Sequence, residues 1–363
     1  MNESNMWKET DEEILQQIPE KLLTWYDKNA RVLPWREDPR PYRVWVSEIM
    51  LQQTRVEAVK PYFERFLKAL PTVADLAKAP EEQLLKLWEG LGYYNRVRNL
   101  QRGARAVMAE HGGVIPASFE ALKKLPGIGD YTAGAIGSIA FQIPVPAVDG
   151  NVLRVISRVL YRRDNILDAK VKRRIEGEIK EILPERTGDF NQSLMELGAT
   201  VCLPNGAPKC NECPLQELCR AHLVGDEESL PVKTKAKTRK IEKRTVFLLV
   251  CDGKIALRKR PEKGLLAGLW ELPSQEGMLG CAEAGKLLQT WGVRTLGELQ
   301  KQTDAKHIFS HVEWHMTCWY VEAALDPDAD VKELIWVSRK ELDQDVALPA
   351  AFKTYRKVIE KIL

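Results

Sequence analysis

The sequence lacks an apolar segment long enough to cross a membrane. Its longest uncharged stretch, residues 131–148, is interrupted by Gly134, Gly137 and Pro144, whereas a membrane helix needs about 20 consecutive apolar residues. The acidic N-terminus, MNESNMWKETDEE, also lacks the apolar centre of a secretory signal. We therefore expect a cytoplasmic protein.

A strong excess of one charge is also missing, because 54 Lys and Arg residues stand against 51 Asp and Glu residues. The net charge of +3 therefore identifies no partner. A basic cluster does occur at residues 233–244, a pattern typical of a phosphate contact or of a solvated linker. With 44% apolar and 29% charged residues, the composition excludes collagen, a coiled coil and a wholly disordered chain.

A length of 363 residues predicts two domains. The first two-thirds show the apolar spacing of helices, at residues 14–26, 74–87, 97–111 and 152–161. From residue 245 onwards the pattern is typical of strands, at residues 246–251, 254–258, 314–321 and 334–338. We predict a helical domain at residues 1–225, a basic linker at 226–244 and a smaller α+β domain at 245–363.

Four of the seven cysteines lie close together with the spacing C-x7-C-x2-C-x5-C: Cys202, Cys210, Cys213 and Cys219. A cytoplasmic chain does not normally keep disulfides, so this cluster indicates metal binding. Structural zinc usually has two closely spaced cysteine pairs, and only Cys210 and Cys213 form one. The spacing therefore favours an iron–sulfur cluster over zinc, held by the loop at residues 202–219.

Two glycines and an aspartate lie next to predicted helix starts. In LPGIGDYTAGAI, residues 125–136, Gly127 and Gly129 permit a tight turn whose N–H groups suit a phosphate, although an ordinary turn has the same pattern. Asp149 directly precedes another helix, where the helix dipole favours its ionised form. The alternative for Asp149 is a simple helix cap or turn.

Glu48 is the only carboxylate between Asp38 and Glu57. On a helix its neighbours are apolar or uncharged: Val44, Trp45, Leu51 and Gln52. Such surroundings raise the pKa of a carboxyl group, as a general acid near neutral pH requires. The alternative is an exposed glutamate on an amphipathic helix.

Together, LPGIGDYTAGAI, AVDGNV and the cysteine cluster resemble the helix-hairpin-helix, the Gly/Pro-rich loop with its Asp, and the iron–sulfur loop of DNA base-excision glycosylases. With LPWR, WVSEIMLQQT and GLGYYNRVRNL added, the chain resembles the MutY adenine glycosylase family from about residue 22 onwards. Seven residues separate the first two cysteines, whereas the family resemblance leads us to expect six, and one inserted loop residue would account for the difference. The resemblance implies a [4Fe-4S] cluster.

The resemblance also implies roles for individual residues. Glu48 would protonate adenine at N7 and Asp149 would stabilise the oxocarbenium-like sugar, while Tyr131 and Asn151 orient the two acids. The adenine pocket would consist of Arg31, Trp35, Arg36 and Gln192. Gln53 and Tyr93 would enter the duplex, with a core aromatic as the alternative for Tyr93. Lys209 and Arg220 are candidate phosphate contacts.

Tyr131 distinguishes between related activities. Bifunctional glycosylases of the endonuclease III type carry a Lys at this place, and its amine attacks the sugar to form a Schiff base. A tyrosine cannot form one. The resemblance therefore implies a monofunctional enzyme that uses water as its nucleophile.

Residues 258–273, RKRPEKGLLAGLWELP, resemble the opening of a Nudix domain. The positions that would bind a divalent metal hold Gly285, Lys286, Gln289 and Thr290 instead of carboxylates. Hard cations need anionic oxygen ligands, so we expect the fold without the Nudix hydrolase activity. The domain would instead contact the lesion strand.

Three histidines, His307, His311 and His315, would share one face of a strand across residues 307–321. Their spacing of about 13 Å is too wide for one metal ion. The tripeptide Phe309-Ser310-His311 instead resembles the family's element for recognising 8-oxoguanine, since Ser310 and His311 can bind a base edge. The alternative is an ordinary strand end.

The sequence thus predicts a multidomain protein, with an all-α helix-hairpin-helix glycosylase domain followed by an α+β Nudix-like domain. We expect a nucleoid-associated monomer that removes adenine opposite 8-oxoguanine or guanine from double-stranded DNA. The alternatives are a bifunctional pyrimidine-lesion glycosylase, against which Tyr131 counts, and a damage-binding protein without catalysis, against which the intact Glu48 and Asp149 count.

Overall fold

A computed structural model of the chain describes residues 7–234, 238–325 and 334–363. The chain forms two compact units, and each is built from two separate stretches of sequence. The first unit comprises Met1–Lys78 and Arg98–Lys235, and the second comprises Ala79–Val97 and Ala236–Leu363. Within the described ranges, no helix combines the length and the apolar character that a membrane crossing requires.

Helices account for the regular structure that precedes the sheet. In chain order they are α1 (Asp11–Asn29), α2 (Pro34–Glu37), α3 (Pro41–Leu51), α4 (Val56–Ala69), α5 (Val73–Lys78), α6 (Glu81–Leu87), α7 (Asn95–Glu110), α8 (Phe119–Lys124), α9 (Asp130–Phe141), α10 (Gly150–Val159), α11 (Ala169–Glu181), α12 (Thr187–Thr200) and α13 (Arg220–Leu223). Helix α6 belongs to the second unit, and α7 begins there and continues into the first.

Helix α12 is the central element of the first unit. It packs against α1, α9 and α10, and its apolar side chains Phe190, Leu194 and Leu197 are buried in the main core. The helix starts are well defined by sequence: Thr10 and Glu13 form a reciprocal capping box at α1, and Asp149 caps α10.

The single helix predicted for residues 74–87 is wrong. Helix α5 ends at Lys78, and α6 starts at Glu81 after Pro80, whose φ and ψ of −61° and 146° are extended. A proline disfavours helical geometry in the residue before it, so the chain leaves the helix at Ala79 although the apolar spacing continues.

The second unit contains a mixed sheet and flanking helices. Its strands are β1 (Lys240–Cys251), β2 (Lys254–Lys259), β3 (Trp270–Glu271), β4 (Ser274–Glu276), β5 (Val293–Thr295), β6 (Gln300–Ile308), β7 (Val312–Leu325) and β8 (Leu334–Ser338). The later helices are α14 (Cys281–Thr290), α15 (Arg339–Gln344) and α16 (Lys353–Ile362). Together the two units confirm the predicted all-α and α+β fold classes.

The sheet has the order β3-β2-β1-β7-β5, with β4 on β1, β6 on β7 and β8 on β2. Strands β1 and β7 run parallel, from the pair Lys240 and Val312 to the pair Val250 and Glu322, and the other pairs are antiparallel. Side chains on the two faces of β1 alternate between two cores. One core contains α16, and the other contains α14.

The strand predicted at residues 314–321 lies within β7, but the condition under which the three histidines would share a face, one strand across residues 307–321, is not met. Strand β6 ends at Ile308 and β7 begins at Val312, and a Phe309 N–H to Val312 carbonyl bond of 2.8 Å closes the hairpin between them. His307 therefore lies opposite Trp314, and His315 lies opposite Lys306 on the neighbouring strand. The alternation of residue types does not change at a tight hairpin turn, so it gave no sign of the reversal.

A buried asparagine on α12 holds the loop that leads to Asp149. The Asn191 side chain accepts a hydrogen bond from the Ala147 N–H (3.1 Å) and donates to the Val145 carbonyl and to Ser138 Oγ (both 2.9 Å). Asn191 is fully buried, so these loop groups have no access to water in its place.

We predict that Asn191→Ala lowers the free energy of unfolding of the first unit by about 3 kcal/mol, because it leaves buried backbone groups without partners. Urea denaturation measures this change. Asn29→Ala is the matched control, since exposed Asn29 also donates from its amide to a carbonyl, that of Trp25, and should change stability by less than about 0.5 kcal/mol. Equal effects of the two substitutions would contradict the assigned role of Asn191.

Candidate active site

One cavity of about 1120 Å³ in the first unit brings together most of the residues that the sequence singled out there. These residues are Arg31, Trp35, Arg36, Glu48, Gln53, Tyr131, Asp149, Asn151 and Gln192. They come from distant parts of the sequence, and helices α2, α3, α9, α10 and α12 carry six of the nine. Gly127 and Gly129 lie outside the lining, and Tyr93, Phe309, Ser310 and His311 belong to the second unit.

Glu48 is buried in the wall of this cavity, with 6% of its surface exposed. The alternative of an exposed helix residue is therefore wrong. Burial raises the pKa of Glu48 to about 7, and the nearby charge of Asp149 adds to the rise. The Tyr131 hydroxyl donates to Glu48 Oε2 over 2.6 Å and limits this rise without removing it.

Tyr131 itself is enclosed between two side chains. Its hydroxyl lies 3.2 Å from Met195 Sδ as well as against Glu48. Burial and the neighbouring carboxylates raise the pKa of Tyr131 well above its ordinary value. The phenol therefore stays protonated and acts as a hydrogen-bond donor.

Asp149 caps helix α10, as one of the two sequence interpretations expected. Its Oδ1 accepts from the backbone N–H groups of Asn151 (2.8 Å) and Val152 (2.9 Å), and its Oδ2 accepts from Asn151 Nδ2 (2.6 Å). Burial raises the pKa of Asp149, and these donors, together with the charge of Arg154, oppose the rise. Capping and a role in the cavity are compatible, because the same carboxylate also lines the cavity.

The two carboxyl groups thus differ in their surroundings. Glu48 has one donor and a pKa of about 7, whereas Asp149 has three N–H donors at a helix start, all of which stabilise its charged form. Environments that separate two carboxyl groups in this way assign one as the acid and the other as the anion. The cavity can therefore protonate a leaving group and stabilise a positive charge.

A buried glutamate that the sequence analysis missed organises the basic side of the cavity. Glu196 accepts from Arg31 Nε (2.6 Å) and Nη2 (2.9 Å) and from Arg36 Nη2 (2.8 Å). Burial alone would raise the pKa of Glu196, but the two guanidinium groups hold it below its ordinary value. Arg36 Nε also donates to Gln192 Oε1 over 3.1 Å. Glu196 is the only carboxylate between Asp189 and Glu212, and this isolation was the available signal.

Trp35 and Gln53 lie at opposite extremes of exposure. Trp35 is buried and meets Phe63 edge to face, with ring centroids 5.3 Å apart. Gln53 is exposed and has a φ of 55°, which is uncommon outside glycine. It lies just after α3, and its side chain lines the cavity.

Gly127 and Gly129 form the turn between α8 and α9. Gly127 has a φ of 80°, and a Cβ there would lie 2.7 Å from the Asn99 Cβ, so only glycine fits. Gly129 directly precedes α9 and has no side chain to cap it. The structure is therefore a helix–turn–helix hairpin whose second helix presents its first N–H groups without a side-chain cap.

The four clustered cysteines line one pocket. Burial raises the pKa of Cys213 to about 12, and the charges of the neighbouring thiolates add to the rise. Four converging thiolates therefore need a cation to remain ionised together, which fits a metal centre. A bond of 3.0 Å from the Lys209 N–H to the Val201 carbonyl closes the seven-residue gap.

Two further side chains that could bind a metal ion, Glu227 and His222, lie close to Cys210. The Glu227 carboxylate lies 3.4 Å from Cys210 Sγ and 2.6 Å from His222 Nδ1. These three donor atoms lie within 4.8 Å of one another. The sequence analysis did not single out His222 or Glu227, because both follow the last cysteine of the cluster.

Helix α10 connects the cavity with the cysteine loop through two buried arginines. Arg154 Nη2 donates to Asn151 Oδ1 (2.9 Å), while its Nε donates to the Cys202 carbonyl (2.9 Å). Arg158 Nη1 donates to Cys202 Sγ over 3.2 Å. The sequence analysis missed both residues, although two arginines four residues apart in an otherwise uncharged helix were a usable signal.

Arg220 and Lys209 do not have equal access to a phosphate. The Arg220 side chain is 7% exposed and pairs with Asp11 at the start of α1, so its assignment as a phosphate contact is wrong. A cation in this position is already neutralised by a carboxylate of the same unit. The Lys209 side chain is half exposed and lies 3.5 Å from Glu212.

In the second unit, the turn at residues 309–311 presents a serine and a histidine to solvent. Ser310 and His311 are exposed, while Phe309 packs edge to face between His307 and Trp314, with centroid distances of 4.5 and 4.9 Å. The Tyr93 hydroxyl lies 3.0 Å from Ser310 Oγ.

Tyr93 is 51% exposed, so its interpretation as a core aromatic is wrong.

On α14, the positions expected to bind a Nudix metal face solvent, because Lys286, Gln289 and Thr290 are exposed. They present a cation and neutral groups in place of carboxylates, as the sequence indicated.

Comparison with known proteins identifies both units. Residues 46–181 match the HhH-GPD superfamily base excision DNA repair protein model, and residues 245–358 match the NUDIX domain model. The chain is 36% identical to the rat adenine DNA glycosylase over 94% of its own length and 77% of the rat protein. The chain belongs to the adenine DNA glycosylase family. This confirms the family predicted from the sequence motifs and, with it, the enzyme class.

Solved structures of the same fold extend the comparison. A thermostable thymine-DNA glycosylase superposes with a TM-score of 0.53 at 29% identity, covering 59% of this chain and 97% of that one. A trapped endonuclease III–DNA covalent intermediate gives 0.52 at 26% identity, covering 60% and 99%. A thymine-DNA glycosylase and an endonuclease III thus share this helical fold, so the residues in the cavity must determine the chemistry.

We predict that Glu48→Gln changes the pH dependence of stability. Because the folded-state pKa of Glu48 is about 7 and the ordinary pKa of a glutamate is 4.5, the folded state is favoured most below pH 4.5 and loses this advantage as the pH rises through 7. Between pH 4.5 and 8, the variant should gain up to about 3 kcal/mol relative to the parent. Urea denaturation across this range measures the gain.

The exposed residue Glu37, at the end of α2, supplies the control for this measurement. Glu37→Gln should keep a constant difference from the parent across the same range. A Glu48→Gln difference that is equally constant would show that Glu48 is not buried in the form described.

Proposed function

We propose that this chain is a monofunctional glycosylase that hydrolyses the N-glycosidic bond of adenine paired with 8-oxoguanine or guanine in double-stranded DNA. The observation that carries the proposal is the pair Glu48 and Asp149 in one cavity, with Tyr131 bonded to Glu48. The proposal includes a monomer that acts in the cytoplasm on the DNA of the nucleoid.

Adenine must leave the base stack before an enzyme can reach its sugar bond. Glu48 then acts as the general acid and protonates N7, which converts adenine into a neutral leaving group. Since Tyr131 occupies Oε2 of Glu48, Oε1 is the oxygen that carries and delivers the proton. A pKa of about 7 keeps much of this group protonated at neutral pH.

Departure of the base leaves an oxocarbenium-like sugar, which needs a fixed negative charge nearby. Asp149 supplies it, because its hydrogen bonds to the start of α10 and to Asn151 hold the carboxylate in one orientation. Water then adds its oxygen to the sugar carbon and releases its proton. Asn151 is in turn fixed by Arg154.

The remaining cavity residues suit a flat, polar base. Trp35 offers an aromatic side chain, and Gln192 offers an amide that can pair with a base edge. Glu196 holds Arg31 and Arg36 in fixed positions and offsets much of their charge. Their positive charge therefore lowers the pKa of Glu48 less than two unpaired arginines would.

A lyase reaction would require an amine that reaches the sugar carbon. Tyr131 occupies the hairpin position that carries this amine in the bifunctional relatives. Lys172 does line the cavity, and its Nζ lies 3.5 Å from Glu176. We assign no catalytic role to Lys172, and a Lys172→Gln variant tests whether its amine acts in a lyase reaction.

The experiment is single-turnover base release from a duplex with one adenine opposite 8-oxoguanine, read with and without alkali. We expect adenine release with strand breaks only after alkali, and a rate that falls as the pH rises above 7 because Glu48 loses its proton. Glu48→Gln should abolish release and change DNA affinity by no more than a few-fold, since the substitution keeps the shape of the side chain.

Parallel substrates and variants distinguish the alternatives. Strand breaks without alkali, on this duplex or on a thymine-glycol duplex, would establish a lyase, and their loss in Lys172→Gln would identify the amine. Tight binding without release from either duplex would leave a damage-binding protein. Both results would overturn the proposal.

The proposal includes a [4Fe-4S] cluster bound by Cys202, Cys210, Cys213 and Cys219. The converging sulfurs, with Arg158 donating to Cys202 Sγ, support this assignment. The cluster would hold the loop at residues 202–219 in its folded form, and no step of the reaction passes through it.

We predict four iron and four sulfide ions per chain in protein purified without oxygen, measured by metal and sulfide analysis. Cys219→Ser should lose iron and the iron–sulfur absorption band. Cys281→Ser is the control, because Cys281 is exposed in the second unit, and it should retain both. Stoichiometric zinc in place of iron would overturn the assignment.

The turn at residues 309–311 is proposed to contact the 8-oxoguanine. Ser310 and His311 are exposed and can donate to or accept from the base edge. Phe309 anchors the turn on the aromatic core of the second unit. Tyr93, next to Ser310, and Gln53, at the cavity of the first unit, are proposed to enter the duplex.

A further inference from the structure

We propose that Glu89 and Arg356 are positioning residues that hold Tyr93 beside Ser310, and that they thereby sharpen the distinction between 8-oxoguanine and guanine. The inference rests on the proposed function of the turn at residues 309–311. It concerns the second unit alone, where the segment Ala79–Val97 packs with elements more than 200 residues later in the chain.

A lysine on α6 attaches this segment to the backbone of α15 and of the residues just after it. Lys86 Nζ donates to the carbonyls of Leu342 and Val346, both over 3.0 Å, and to Glu89 Oε2 over 2.8 Å. The Lys86 side chain is 17% exposed. A half-buried ammonium group with three acceptors is held in one place.

Glu89 forms the centre of the network. Its Oε1 accepts from the Leu348 N–H (3.0 Å) and from Arg356 Nη1 (2.6 Å). Arg356 Nη2 donates in turn to Asp343 Oδ1 over 2.9 Å. The Glu89 side chain is as little exposed as that of Lys86, so these ion pairs are screened less than pairs at the surface.

The chain between Glu89 and Tyr93 is short and conformationally restricted. Gly90, Gly92 and Tyr93 have φ values of 101°, 69° and 48°, and Trp88 Nε1 donates to the Gly92 carbonyl over 3.1 Å. A non-glycine residue with positive φ costs energy and persists only when its surroundings impose it. The position of Glu89 is therefore transmitted to Tyr93 over four residues.

The hydrogen bond between Tyr93 and Ser310 is too weak to hold the two side chains together on its own. The Tyr93–Ser310 hydrogen bond is exposed, so water competes with each partner and the bond adds little net stability. The partly buried network at Lys86, Glu89 and Arg356 supplies the remaining constraint. We infer that its loss leaves Tyr93 and Ser310 free to separate, while the carboxylates of the first unit are unchanged.

The test compares Glu89→Gln, Arg356→Gln and the double variant with the parent. For each protein, single-turnover adenine release is measured opposite 8-oxoguanine and opposite guanine over a range of enzyme concentrations. We expect each single variant to reduce the preference for 8-oxoguanine by roughly 5- to 10-fold, and the double variant to lose no more, because both residues act in one network.

The loss should appear in the enzyme concentration needed for half-maximal release opposite 8-oxoguanine. The maximal release rate should stay within about 2-fold, since Glu48 and Asp149 are untouched. Arg356→Lys, which keeps the charge but not the forked geometry, should retain part of the preference. A general loss of folding would instead raise the half-maximal concentration opposite 8-oxoguanine and opposite guanine by the same factor and leave the preference unchanged.

Arg339→Gln is the matched control. Arg339 also binds Asp343, through Oδ2 at 2.7 Å, but not Glu89, so its loss should leave the preference unchanged. Ser310→Ala tests the underlying function separately. If Ser310→Ala has the same preference for 8-oxoguanine as the parent, the turn does not have its proposed role, and the inference fails with it.

If Ser310→Ala reduces the preference but Glu89→Gln, Arg356→Gln and the double variant do not, while thermal melting shows them folded, the network has no positioning role. In that outcome the proposed function of the turn stands, and only the inference about Glu89 and Arg356 is overturned. A double variant whose loss equals the product of the single losses would likewise contradict one shared network.

Discussion

The buried Glu48 carboxyl group is the constraint on which the first unit depends. Folding places it among apolar side chains with a single tyrosine as its hydrogen-bond donor, an arrangement that favours the protonated form and opposes the charged one. Neighbouring residues help to keep Glu48 without a charged partner. Glu196 engages both nearby arginines, so that neither pairs with Glu48, and three donors stabilise the charged form of Asp149 against the effect of burial.

Helix α10 gives this arrangement its rigidity. Asp149 caps its start, Asn151 bonds to that cap, and Arg154 and Arg158 carry the connection to Cys202. The cysteine loop is therefore part of the support of the acid pair, although it lies outside the cavity. The second unit presents exposed groups at a hairpin turn that is anchored by ring contacts of Phe309 with His307 and Trp314, and this turn is the proposed source of selectivity.

Sequence reasoning succeeded where a residue type is rare in its surroundings. Glu48 in an apolar helix and four cysteines in one segment were both evident. It failed where three-dimensional partners decide: nothing local indicated that Arg220 would be buried against Asp11, or that residues 307–321 would reverse direction. Glu196 was missed although it is as isolated in the sequence as Glu48, because its partners Arg31 and Arg36 lie about 160 residues away.

The grouping of Ala79–Val97 with the second unit has a consequence for biosynthesis. Lys86 and its acceptor at Leu342 are separated by 256 residues, and Glu89 and Arg356 by 267. At about 5–20 residues per second, a ribosome needs roughly 10–50 s to make the intervening chain. During that interval the glycine-rich loop before Tyr93 waits without the partners that define it. The segment Ala79–Val97 thus lacks its partners until the residues of α16 have been synthesised.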